Sequence, residues 1–170
     1  MRKLILLLYV ICLGAMISEV KGQTATFKAL FLYNFTKNIE WPASSSSNEV
    51  TIAVLGDDEI YTELEKIAKV KKVGNKSIKI VSAKSIKDID DANIVFLGSN
   101  KSSLMQSLSH EQEGKPILIV ADKKGMCKHG AGISFLTVNG KLRYEISPAI
   151  IAAHNLKVTQ KVVSLGIKVQ

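Results

Sequence analysis

The residues best suited to acid–base, nucleophilic or metal chemistry are Cys127 and the three histidines, His110, His129 and His154. Cys127 and His129 stand two apart in the loop MCKHGAG, where a thiolate could meet an imidazole. A nucleophile there needs a third group to orient the base, and a zinc site needs two further ligands. The sequence marks neither, and His110 and His154 have no partner at metal-ligand spacing. The other reading of the loop is a solvated turn whose glycines bend the chain. Asp57-Asp58, after the first apolar run of the domain, has the placement of a phosphoacceptor. A receiver fold also wants an aspartate after the third run, where this chain has Gly98. Gly56, Gly98 and the Gly130-Ala131-Gly132 loop make neither a GxGxxG nor a Walker pattern. Asn34-Phe35-Thr36 is a glycosylation sequon by spelling, but it falls within a predicted helix. No catalytic set, metal site or cofactor is therefore expected, and the composition suits a binding protein.

The chain begins with Arg2 and Lys3, an apolar run from Leu4 to Ile17, and then Val20-Lys21-Gly22. This is the pattern of a secretory leader, cleaved after Gly22. The apolar run is too short for a bilayer span, which needs about 20 residues. Residues 1–22 are read as a signal peptide and 23–170 as one exported domain. Cys12 leaves with the leader, so Cys127 has no intramolecular disulfide partner. A lone thiol in an oxidising space is buried and inert or bonded to another chain, and burial is expected here. The chain carries a net charge of +8. Eight lysines fall between Lys66 and Lys87, at 66, 69, 71, 72, 76, 79, 84 and 87. They suit an anionic partner or, more simply, a solvated helix face and strand edge. No aromatic residue interleaves with them to stack bases, which argues against nucleic acid.

The elements that must position these residues follow from periodicity. Five of the ten aromatic residues lie between Phe27 and Trp41. Phe27, Leu30, Phe31, Phe35 and Ile39 recur at spacings of three and four, so they are expected to line the buried face of a helix ended by Pro42. The serine-rich ASSSSNE that follows is a flexible connector. Apolar strands are predicted at 50–55, 77–81, 93–97 and 116–121, alternating with helices at 59–70, 85–91 and 101–109. That alternation predicts an α/β fold, a three-layer α/β/α sandwich with a mainly parallel sheet buried on both faces. Asn139-Gly140 between runs 132–138 and 141–146 predicts that the sheet ends in an antiparallel C-terminal hairpin. Ser147-Pro148 starts a helix that runs to about His154, and Thr159 caps a last one through Leu165. A parallel sheet also offers a ligand crevice at the carboxyl ends of its strands, near Gly56, Gly98 and Asp122.

Three stretches, one near the start of the domain and two in its C-terminal third, resemble a known family. KALFLYNFTKNIEWP (28–42) is similar to the KAAFLYNFxxFxEWP opening of the YfiR family of periplasmic regulators. GMCKHGAGISF (125–135) and NGKLRYEISPAIIAAHNLKVTQKVVSLGIKV (139–169) resemble its glycine loop, its NGRxRFEIN strand and its closing segment. The resemblance implies a periplasmic, non-catalytic α/β/α domain, often a homodimer. Such a domain binds and represses the periplasmic portion of an inner-membrane diguanylate cyclase or related sensor, and so controls cyclic-di-GMP and biofilm. A small-molecule-binding module or an accessory subunit of another membrane sensor or transporter is the alternative. Glu145 matches the RFEI glutamate. With Ile151 in the next helix and Ile133 on the facing strand, it is expected to form a partner-binding patch; for the two isoleucines, core packing is the competing reading. Known members carry paired cysteines and respond to redox state, whereas this chain keeps only Cys127, a possible redox residue without its partner.

Overall fold

The computed structural model describes residues 22–42, 47–89 and 91–169. All of the expected leader but Gly22 lies outside these residues, as do residues 43–46 of the serine connector. In chain order the elements are α1 (residues 22–38), β1 (Ile39–Glu40), β2 (Glu49–Leu55), α2 (Asp58–Val70), β3 (Ser77–Ala83) and β4 (Ile94–Leu97). Then come α3 (Met105–Glu111), β5 (Leu118–Ala121), β6 (Ile133–Val138), β7 (Lys141–Ile146), α4 (Pro148–Ala153), β8 (Lys157–Val158), α5 (Gln160–Leu165) and β9 (Ile167–Lys168). Short 3-10 turns occupy Ile86–Ile89, Ser99–Leu104 and Met126–His129.

Seven of the described strands form one sheet in the order β3-β2-β4-β5-β6-β7-β9. The pairs from β3 to β6 are parallel, and β4 and β5 are buried along their whole length, as their unbroken apolar runs require. The sheet then reverses. β6 and β7 pair antiparallel from Ile133↔Ile146 to Val138↔Lys141. The turn between them is Asn139-Gly140, with φ of 49° and 74°, the positive values that favour this dipeptide. β9 pairs parallel with β7 and closes that edge; β1 and β8 form a separate antiparallel pair. The sequence pattern predicts neither pairing, because each segment is only two residues long.

Helices cover both faces, which makes the three layers. α1, α2, α4 and α5 pack on the face that carries Ile52, Phe96, Val120, Phe135 and Tyr144. α3 and the 3-10 turns pack on the other, against Leu55, Val95, Ile119 and Ala121. The helix starts follow local chemistry. Asp57 Oδ1 accepts from Ile60 N at 3.0 Å, and the Ser147 hydroxyl accepts from Ile150 N ahead of Pro148. Thr159 forms no such cap; its hydroxyl meets Asn38 Oδ1 at 3.5 Å instead.

The aromatic helix differs from expectation. Its buried residues are Ala25, Ala29, Leu32, Phe35 and Thr36, followed by Ile39 in β1. Phe31 is half-buried beside them, whereas Phe27 and Leu30 are 49% and 41% exposed. Two overlapping stripes share the three-and-four spacing, and the small alanines win because they let the helix axis approach the sheet. Phe31 and Phe35 both meet Tyr144 edge-on, with ring centroids at 5.6 and 5.4 Å. The Tyr144 hydroxyl donates to the Val162 carbonyl at 2.6 Å, so this cluster ties α1, β7 and α5 together. The helix ends at residue 38, four positions before Pro42, where β1 begins.

Candidate functional site

The loop after β5 and the hairpin build the candidate site. β6 and β7 are paired so that Ser134 faces Glu145, and both side chains leave the sheet on the α3 side. The loop returns over them through the 3-10 turn Met126–His129, flanked by Gly125 and Gly130 with φ of 83° and 109°. Gly130 is required by close approach as well: a Cβ there would lie 2.1 Å from the Ser109 hydroxyl oxygen. The turn presses Cys127 inward. Its Sγ lies 3.3 Å from Ser134 Oγ, and Glu145 Oε2 accepts from Gly125 N at 2.6 Å. Glu145 is only 7% exposed, and no lysine or arginine among the described residues lies within ion-pair distance of it. The backbone amide of Gly125 is its hydrogen-bond partner, so this carboxylate pins the loop to β7.

Burial pushes the Cys127 thiol up to about 11; Ser134 opposes the shift and the neighbouring Glu145 charge adds to it. The thiol is therefore protonated near neutrality and shielded from solvent, the opposite of what a nucleophile or a redox sensor needs. His129 does not complete it. That side chain is exposed and lines a separate open cleft of about 640 Å³ with His110 and His154. His154 is buried, its Nδ1 2.9 Å from the Lys115 carbonyl oxygen. Although the fold brings the three histidines to one cleft, no group of three potential metal ligands converges among the described residues.

The expected partner-binding residues separate across the sheet. Glu145 lies on the α3 side with Cys127, while Ile133 and Ile151 lie in the opposite core beside Phe135 and Ile146. Both isoleucines are buried. Gly132 makes room for Ile151: a Cβ there would come 2.9 Å from Ile151 Cγ1 and 3.0 Å from Leu118 Cδ1. The two isoleucines thus hold the base of the hairpin and α4 in place, and the exposed side chains on β7 and α4 include Arg143, Ala149, Ala152 and Ala153.

At the carboxyl ends of the parallel strands lies a crevice of about 560 Å³ lined by Lys28, Gly56, Asp57, Asn100 and Asp122. Gly98 packs on Gly56; a Cβ at Gly98 would sit 2.6 Å from the Gly56 carbonyl oxygen. Lys28 Nζ, from α1, pairs with Asp122 at 2.6 Å, and both side chains are largely buried. Burial still raises the Asp122 carboxyl, against the pull of Lys28 and with help from Asp57. Asp57 serves as the cap of α2, which accounts for the receiver-like aspartate pair. Periodicity gave no signal for Lys28, because it sits among the aromatics on a helix read by its apolar stripe.

The basic stretch is an exposed surface. Lys66, Lys69, Lys71, Lys72, Lys79, Lys84 and Lys87 are exposed on α2, on the edge strand β3 and in the connections that follow each. Lysines on an edge strand discourage pairing with another sheet. No helix among the described residues is long and apolar enough to cross a membrane.

No curated protein matches the chain. Among solved structures, a conserved domain protein from Vibrio cholerae O1 biovar El Tor is similar, with a TM-score of 0.53 at 8% identity, over 86% of this chain and 60% of that one. The ABC domain in complex with L-Trp from Streptococcus pneumonia gives 0.52 at 10% identity, over 71% of this chain and 56% of that one. At these identities the likeness is one of fold, and the chain spans about 60% or less of the length of either. The YfiR/HmsC-like family model matches residues 25–167, from the start of α1 through the glycine loop and hairpin to β9. The chain belongs to the YfiR/HmsC-like family.

Proposed function

We propose that this protein is a periplasmic, non-catalytic regulator. In this reading a leader cleaved after Gly22 exports it, and it binds and restrains the outward-facing portion of an inner-membrane signalling protein, a diguanylate cyclase. The observation that carries the reading is the family match over residues 25–167. Two features of the site support it. The Cys127 thiol is buried and held protonated, which fits a structural role, and its neighbour Glu145 fastens the loop to β7. The proposed contact region is the hairpin–helix end built on Ile133, Glu145 and Ile151. The two isoleucines and the carboxylate set its shape from inside, and Arg143 and Ala152 present it. A homodimer is part of the same proposal; the exposed Phe27, Leu30, Leu165 and Ile167 offer apolar surface for it.

Deletion of the gene is expected to raise cellular cyclic-di-GMP and biofilm, and expression of the wild-type chain with its leader to reverse both. Unchanged cyclic-di-GMP in the deletion strain would remove the cyclase from the proposal.

A further inference from the structure

α3 buries Met105 and Leu108 against the sheet, and the next position on that stripe is Gln112 at the helix end. A position spaced this way calls for an apolar side chain. Gln112 is only 3% exposed, yet its side-chain amide makes no hydrogen bond among the described residues. Its backbone is fixed, the N–H donating to the Leu108 carbonyl and the carbonyl accepting from Lys115 N. Among the described residues the one side-chain polar atom sealed from solvent without a partner is Trp41 Nε1, so the Gln112 amide is not sealed. It opens into a cavity of about 660 Å³ at the amino ends of β2, β4 and β5, the opposite end of the sheet from the Lys28–Asp122 crevice.

The rest of the lining fits one kind of guest. Asn93 Oδ1 accepts from Thr51 N at 2.9 Å, which leaves Nδ2 free to donate. Lys79 and Lys115 line the same cavity with exposed ammonium groups that have no ion-pair partner among the described residues. Glu49 and Asp91 also line it, so the charges nearly balance and a polyphosphate or polyanion is disfavoured. We infer that this cavity binds a small hydroxylated monocarboxylate: the two lysines take the carboxylate, while the Gln112 and Asn93 amides take hydroxyl groups. A hydroxylated guest replaces the solvent contacts of this mostly buried amide with directed hydrogen bonds, whereas an alkyl chain would remove those contacts and return none. Gln112 is then the specificity-determining residue.

The test is calorimetric titration of the purified protein with gluconate, hexanoate and glucose, which separate carboxylate from hydroxyl recognition. Gluconate is expected to bind saturably, with hexanoate and glucose each about tenfold weaker or worse. Gln112→Leu, which continues the apolar stripe, is expected to keep its thermal midpoint and lose the preference for gluconate over hexanoate. Lys115→Met is expected to weaken gluconate and leave glucose unchanged. Absence of gluconate binding to the wild-type protein, or a Gln112→Leu variant that keeps the preference, would overturn the inference. Neither result bears on the regulatory reading, which concerns a membrane partner.

Discussion

Cys127 and Glu145 share one buried niche, and their charge states decide what that niche can do. The thiol is raised from 9.0 to about 11 by burial. An acid whose folded value is raised contributes stability that is present below the unfolded value and lost as pH climbs through the folded one. The wild type should therefore lose roughly 2–3 kcal/mol relative to Cys127→Ala between pH 9 and pH 11, measured by urea unfolding of both proteins. Parallel curves over that range would mean the thiol is solvated. Glu145→Ala should cost about 1–3 kcal/mol, because it orphans the Gly125 amide and frees the loop. Amide exchange at residues 124–130 should accelerate in that variant; unchanged protection there would show that the carboxylate does not hold the loop. The motif RYEI makes Glu145 visible in sequence, and the loop spelling makes Cys127 visible. Their contact is not legible, because it depends on which face of β7 position 145 takes once β6 and the glycine turn are docked. Ile133 and Ile151 are equally visible as residues. The burial of Ile151, however, depends on the missing Cβ of Gly132, which lets α4 settle onto the sheet.

At the scale of elements, the parallel strands, the Asn139-Gly140 hairpin and the Ser147-Pro148 helix start were all readable, since each rests on local chemistry. The orientation of α1 was not. Its heavy aromatics suggested one face, and the alanines that permit close approach selected another. Phe35→Ala should cost about 3–5 kcal/mol as a fully buried aromatic, Phe31→Ala less, and Phe27→Ala under about 1 kcal/mol. Equal losses for Phe27 and Phe35 in thermal unfolding would contradict the observed rotation of the helix. The two-residue strands β1, β8 and β9 carry too few residues for a periodic signal, and only tertiary pairing defines them. Gly166 shows the same limit. It reads as a helix stop, yet its φ is −87°, and it is needed because a Cβ would lie 2.6 Å from the Tyr144 ring.

Across the whole molecule, one ion pair joins the first helix to the centre of the sheet. Lys28 reaches from α1 to Asp122 after β5, so the family-like opening segment and the parallel core are fastened at one point. Lys28→Met leaves a buried carboxylate without its partner and should cost about 3 kcal/mol at pH 7. Burial already raises Asp122 above 3.8, and the stability held below that value is lost as pH rises. Without Lys28 that loss grows, so the variant's deficit should be larger at pH 7 than at pH 4; a deficit independent of pH would mean the pair is not what matters. The same architecture leaves Arg143 and Ala152 exposed at the hairpin–helix end, where the regulatory contact is proposed. The most direct test of that proposal is photo-crosslinking in living cells from positions 143 and 152 of the full-length chain. The proposal predicts an adduct with an inner-membrane signalling protein at one or both positions. Adducts containing only a second copy of this chain, at both positions, would contradict it.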